Sequence, residues 1–269
     1  MENTILKELQ ATEYEILRVV DRFCKKYQID YSLYGGTLIG AVRHGGFIPW
    51  DDDIDIVMLR NQYSTFCNEW ELHPIQGYYL ENFETDSYTQ NTHTKIRKND
   101  TILLSDVEDE SIGHHGIWID IFVMDKISND AQIGKNVINA GRKMILMAKA
   151  NGNLPGEGLV KRVARTILKL IYPQKKRKRA LIQIAEFLRK NDQDVQGRFE
   201  LCDMCTLDYL KIRFSQETGA EYTKLKFQDG EYPVFSNYDD VLKVMYGDYM
   251  TPPPAEEQVC RHNPKKIQF

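Results

Sequence analysis

Residues 51–58 read Asp-Asp-Asp-Ile-Asp-Ile-Val-Met, an acid run set against an apolar one, and few chains can fold around such a segment. In a strand, successive side chains point to opposite faces, so Asp51, Asp53 and Asp55 share one face while Ile54 and Ile56 enter a core on the other. Aspartate is a poor strand former and like charges held close repel, so a row of three carboxylates calls for a compensating cation. Hard oxygen ligands of this kind suit Mg²⁺ or Mn²⁺ bound together with substrate phosphates. The alternative is a solvated acidic turn, which the Ile-Asp-Ile-Val pattern opposes by demanding burial on one side. Residues 116–123 set a second acid in the same way, with Asp120 the lone charge in a strongly β-forming run. An unpaired buried aspartate is unfavourable, so Asp120 needs a cation or a pocket. With the two strands side by side, Asp120 joins Asp53 and Asp55 in a cluster able to hold one or two divalent ions. One oxygen would remain to draw a proton from an attacking hydroxyl.

Upstream, Tyr31-Ser32-Leu33-Tyr34 reads as a short strand that ends at Gly35-Gly36, after which Thr37 is placed to cap a helix through Leu38, Ile39 and Val42. The glycines let a ligand approach the backbone, and the helix start offers free N–H groups to a phosphate; an ordinary tight turn is the competing reading. A loop beginning at Arg43 leads into the acid run. Between the acidic segments, a helix is expected over 62–71 and strands over 77–83, 94–98 and 101–104. Lys95, Arg97 and Lys98 are placed to meet phosphate oxygens, or else are surface charges on an edge strand. The first helix has Leu17, Val20, Phe23, Cys24 and Tyr27 at helical spacing, with Thr12 and Glu15 as a capping box for its start.

The 269 residues, 42% apolar and 28% charged, exclude a disordered or fibrous chain. No apolar run reaches the ~20 residues needed to cross a bilayer, and residues 1–30 lack a signal-peptide core, so a cytoplasmic protein is expected. Five scattered cysteines argue for reduced thiols; Cys202 and Cys205 have the spacing of half a zinc site or a redox pair, but with no second pair a chance pair in a helical stretch is expected. The net charge of −4 hides a division: residues 161–190 hold eleven Lys or Arg against Glu186 alone, +10 against −14 for the rest. In this region Leu159, Val160, Val163, Ala164, Ile167, Leu168 and Ile171 form a stripe, with Lys161, Arg162, Arg165 and Lys169 mostly opposite. Such a basic amphipathic helix suits an anionic membrane surface or a polyanionic acceptor, residues 175–179 adding a polybasic anchor. A core-packing helix with a solvated charged side is the alternative. The absence of interleaved aromatics argues against nucleic acid. The breaker cluster at 151–156 divides a core (1–150) from this basic segment (151–215), and residues 216–269 carry a hairpin around Asp229-Gly230 and a helix closed by Gly247.

From Tyr34-Gly35-Gly36-Thr37 through Arg43-His44-Gly45-Gly46-Phe47-Ile48-Pro49-Trp50-Asp51-Asp52-Asp53-Ile54-Asp55, the chain resembles the LicD family of phosphocholine transferases and fukutin-related phosphotransferases. The likeness continues through Lys95-Ile96-Arg97, Trp118-Ile119-Asp120-Ile121-Phe122 and Tyr246-Gly247-Asp248-Tyr249-Met250-Thr251-Pro252-Pro253. It implies an α+β fold, a nucleotidyltransferase-like mixed sheet flanked by helices, with added helical and C-terminal elements. It also implies a phosphate cradle at Gly35 and Gly36, supported by Thr37, Arg43, Lys95 and Arg97. Asp53, Asp55 and Asp120 would bind Mg²⁺, Asp51 would support them, and Asp120 would serve as ligand or base. The implied reaction moves phosphocholine, or a related phospho-alcohol, from CDP-choline or another CDP-alcohol onto a sugar hydroxyl. The acceptor would be a glycan or lipid-linked glycan such as teichoic acid, lipopolysaccharide or capsule. Competing functions are a nucleotidyltransferase that makes the CDP-activated precursor and an inactive glycan- or membrane-binding protein.

Overall fold

The acid run becomes strand only at Asp55; residues 51–54 lead into it without regular secondary structure. The computed structural model describes residues 1–105, 110–150, 158–262 and 264–269, so the breaker cluster at 151–156 lies outside the described residues. The chain runs α1 (Asn3–Tyr27), β1 (Ser32–Leu33), α2 (Gly35–His44), β2 (Asp55–Leu59), α3 (Arg60–Leu72), β3 (Tyr78–Glu81), β4 (Thr94–Lys98), β5 (Ile102–Leu104) and β6 (Trp118–Ser128). There follow α4 (Ala131–Lys149), α5 (Leu159–Ile171), α6 (Gln174–Asp194), β7 (Phe199–Asp203), β8 (Phe214–Ser215), β9 (Tyr222–Phe227), β10 (Gly230–Phe235), α7 (Tyr238–Tyr246) and β11 (Lys266–Gln268). The fold is α+β.

Seven strands form one mixed sheet in the order β1-β2-β6-β4-β3, with β7 beside β6 and β8 beside β7. The long β6 organises it, running parallel to β2 and antiparallel to β4 along its first half and to β7 along its second. Its apolar residues pack with those of α1, whose Leu9, Ile16, Leu17, Val20 and Phe23 recur at helical spacing and are buried. Each such side chain contributes about 1.5–3 kcal/mol through burial. A second cluster joins α4 and α6 through Val137, Ile145, Leu181 and Leu188. The hairpin β9–β10 and helix α7 stand where the sequence places them.

Several local expectations are corrected. Helix α1 begins at Asn3, so Thr12 lies inside it and donates back to the Glu8 carbonyl at 2.9 Å rather than capping a start. Thr37 likewise falls inside α2, whose N-cap is Tyr34. Strand β4 is internal, between β3 and β6, so Lys95 and Arg97 are not edge charges; they are 7% and 3% exposed. Strand β5 leaves the main sheet to pair with β11. Cys202 belongs to a strand, β7, not a helix.

Beneath the sheet, Arg60 at the start of α3 grips Asp125 of β6 with Nε at 2.7 Å and Nη2 at 2.6 Å, both side chains buried. A buried fork of this kind is hard to break from one side, because the survivor keeps its charge without a partner. Arg60→Met is therefore expected to lower unfolding free energy by ~3–5 kcal/mol in urea titrations, and adding Asp125→Leu to recover part of the loss.

Candidate active site

Parallel pairing of β2 with β6 sets Asp55 directly beside Asp120, and the Asp120 N–H donates to the Ile54 carbonyl at 2.8 Å. Two strands whose acids lie 65 residues apart in sequence thus deliver them to one place. The start of β2 is locked to the first turn of α2: Tyr34 N–H donates to the Asp55 carbonyl at 3.0 Å, and Asp55 N–H to the Thr37 hydroxyl at 2.8 Å. Thr37 is buried and so acts as a brace for β2. Gly35 takes φ +53°, and a Cβ there would stand 2.7 Å from Asp55 Oδ2; at Gly36 it would stand 2.8 Å from Asp51 Oδ2. The carboxylates therefore press against the glycine turn at the N-terminus of α2, where backbone N–H groups lack intrahelical partners.

Crowding shows in the ionisation of these groups. Burial, then the neighbouring Asp53 and Asp52, pushes the Asp51 carboxyl up to about 8. Asp53 and Asp55 are also raised by burial, Asp55 strongly, with Asp53 and Asp120 adding to the effect on Asp55. Asp120 goes the other way. Burial opposes its charge, but Lys95 and then His93 outweigh it and hold the carboxyl well below the usual range. Lys95 Nζ lies 2.7 Å and His93 Nε2 3.4 Å from Asp120 Oδ1. Asp52 leaves the row altogether: it is buried and accepts from the backbone N–H groups of Arg261 and His262 at 3.3 and 2.8 Å, tying the C-terminal segment to the site.

Among the described residues, no group of three or more His, Cys, Asp or Glu side chains is gathered at metal-holding distance. The donor set nonetheless fits a hard divalent cation. It is carboxylate oxygen throughout, it is short of positive charge, and Asp51 Oδ2 is buried without a hydrogen-bond partner. Glu13 on α1 extends this acid field; it is 1% exposed, its Oε2 has no partner, and burial followed by Asp53, Asp52 and Asp51 raises its carboxyl well above the usual range.

The remaining residues expected at a phosphate are divided. Lys95 is at the acids, its ammonium 4.1 Å from the Trp118 ring centroid. Arg97 points along the same face but is held by Glu81 and by the Gly116 carbonyl at 2.9 Å. Arg43 donates through Nη1 to the Tyr249 carbonyl at 3.0 Å, while its Nε is buried without a partner. Beside the acids opens a cavity of about 330 Å³, lined among others by Lys95, Arg97, Trp118, Tyr88, His114 and His262. Its aromatic faces suit a planar ring, and its charges are mixed, Glu81 and Asp86 lining it along with Lys95 and Arg97.

Sequence reasoning missed Glu13, His93 and His262. Glu13 was visible as an acid within the apolar stripe of α1, between Leu9 and Ile16. His93 stands two residues before Lys95, on the same alternation that brings Lys95 to Asp120. For His262 there was no local signal, because only the tertiary path of the C-terminal segment carries it to Asp52 and to within 3.8 Å of Asp53.

Comparison with known proteins adds a second line of observation. Residues 28–146, which contain the glycine turn and all four acids, match the LicD/FKTN/FKRP nucleotidyltransferase domain. Over 274 aligned residues, 97% of each chain, the protein is 29% identical to the lipopolysaccharide cholinephosphotransferase LicD of Haemophilus influenzae. A shorter stretch of 76 residues, 28% of this chain and 25% of the relative, is 38% identical to an uncharacterized protein of Rickettsia prowazekii.

Proposed function

From the premise that this chain carries a LicD-family nucleotidyltransferase domain, we propose that it is a phosphotransferase that moves phosphocholine, or a related phospho-alcohol, onto a sugar hydroxyl of lipopolysaccharide or another cell-surface glycan. The donor is a CDP-alcohol, with CDP-choline the first choice because the relative matched along its whole length is a cholinephosphotransferase. The observation that carries this reading is the meeting of Asp55 and Asp120 at the N-terminus of α2. A phosphoryl group seated there would face backbone donors on one side and carboxylates on the other.

Asp51, Asp53, Asp55 and Asp120 would hold Mg²⁺, which when bound would neutralise charge on the transferring phosphoryl group and the departing CMP. The α2 N–H groups bind the phosphate, and the Gly35-Gly36 turn keeps that approach free of side chains. Lys95 neutralises Asp120 in the free protein; donor phosphate competes for its ammonium and so releases the carboxylate to orient or deprotonate the acceptor hydroxyl. The cavity seats the nucleotide portion, since Trp118 and Tyr88 offer ring faces to a base.

The test is CMP release from CDP-choline, CDP-glycerol and CDP-ribitol with Mg²⁺ or with EDTA. One donor is expected to lead, and chelation to lower its turnover by ~10²-fold or more. Turnover indifferent to EDTA would defeat the metal assignment, and pyrophosphate release from CTP plus a phospho-alcohol would identify precursor synthesis instead.

A further inference from the structure

Helix α5 does not pack as a core helix. Leu159, Val160, Val163, Ile167, Leu170 and Ile171 are all exposed, from 48% at Val163 to 82% at Val160. At 3.6 residues per turn they fall within roughly 120° of the helix circumference. Arg162, Arg165 and Lys169 occupy the rest, and the helix has no acid. Its hold on the body is through Leu168, which with Tyr172 leans on the α4–α6 cluster. Exposing a contiguous apolar face of this size is unfavourable unless something covers it.

We propose that α5 lies in the headgroup region of an anionic bilayer, its apolar arc among the acyl chains and its arginines and lysine at the phosphates. Charge selects this occupant. Pairing two copies through the same face would bring the cations of one helix against those of the other, whereas an anionic surface satisfies both the apolar arc and the flanking charge. The cation set continues past Pro173 into exposed Lys175, Lys176 and Arg179 at the start of α6. Docking also has a direction. Gln174 Nε2 donates to the Ser87 carbonyl at 3.3 Å and Lys178 Nζ to the Glu84 carbonyl at 2.8 Å, so the start of α6 holds the loop whose Asp86 and Tyr88 line the cavity. A bilayer-bound α5 thus keeps the cavity rim close to the membrane surface, whatever donor the site takes. No helix among the described residues is long and apolar enough to cross a membrane, so the contact is interfacial.

The experiment is co-sedimentation of the full chain with vesicles of phosphatidylcholine alone or with about a third phosphatidylglycerol, at low and high salt. Binding is expected to favour the anionic vesicles by ~10-fold or more and to weaken with salt. The Val163→Glu/Ile167→Glu variant should lose it, and Arg162→Gln/Arg165→Gln/Lys169→Gln should lose the preference for anionic lipid. Val163, Ile167 and Arg162 face solvent while Arg165 and Lys169 are half-buried, and for both variants an unchanged thermal midpoint and unchanged CMP release from soluble donor will separate lost docking from lost folding. Failure to sediment with either vesicle would overturn the proposal, as would binding retained by Val163→Glu/Ile167→Glu. A concentration-dependent dimer abolished by that variant would assign the face to a second copy instead.

Discussion

Asp55→Asn and Asp120→Asn should each slow CMP release by ~10²–10³-fold, with the double variant little worse than either alone, because carboxylates serving one site fail as a unit. Their effects on stability should carry opposite signs, which makes the pair more informative than either activity loss. Asp55 is pushed up by burial and by its acidic neighbours, so removing its charge relieves repulsion. The chelator-treated Asp55→Asn protein is expected to melt a few °C higher, a gain of ~1–2 kcal/mol. Asp120 instead holds the ammonium of Lys95 at 2.7 Å, with both side chains 9% exposed. Its loss leaves a buried cation without its partner, and Asp120→Asn should melt lower by ~3 kcal/mol or more. Differential scanning fluorimetry alongside the CMP assay reads both quantities. Equal destabilisation by the two substitutions would mean that the acids are ordinary structural groups, and the electrostatic account of the site would fall.

That opposition between Asp55 and Asp120 also marks where sequence reading stops. Alternation within 54–58 and 117–123 was enough to place Asp55 and Asp120 on strands, and the LicD resemblance joined them in one site; the parallel register of β2 and β6 sets them side by side. What alternation could not supply was the partner of each charge. Lys95 was expected to face solvent or phosphate, and its burial against Asp120 follows from β4 lying inside the sheet, a matter of strand order rather than local pattern. The same limit explains Asp52, which the run places on the opposite face from Asp51 and Asp53. It is secured by Arg261 and His262, more than two hundred residues away. Thr12 failed for a different reason: a capping box is a local motif, and an amphipathic stripe extending to Leu6 overrode it by prolonging α1 toward the N-terminus. The stripe on α5 was legible as amphipathic, but whether it faced core or solvent depended on packing with α4 and α6, where among the described apolar side chains Leu168 leans on the cluster together with Tyr172 just beyond the helix.

Gly35→Ala should lower both turnover and stability. Two effects coincide there. The backbone has φ +53°, a conformation that disfavours any side chain by ~1–2 kcal/mol, and the new methyl group would stand 2.7 Å from Asp55 Oδ2. Something must move, and the neighbour within reach is the carboxylate to which the proposed reaction assigns metal binding; a displacement of ~1 Å in a positioned group lowers rates by ~10²-fold. Strain alone can be isolated at Gly197, which has φ +78° and open space where a Cβ would go. Gly197→Ala should therefore lose comparable stability while keeping full CMP release, whereas Gly35→Ala loses both. Gly36→Ala gives the intermediate case, since its Cβ would meet Asp51 Oδ2 at 2.8 Å without a left-handed backbone, so activity should fall with little change in melting temperature. Should Gly35→Ala retain wild-type turnover at a reduced melting temperature, the glycine would be serving the turn alone, and the approach of phosphate to the α2 N-terminus would have to be placed elsewhere.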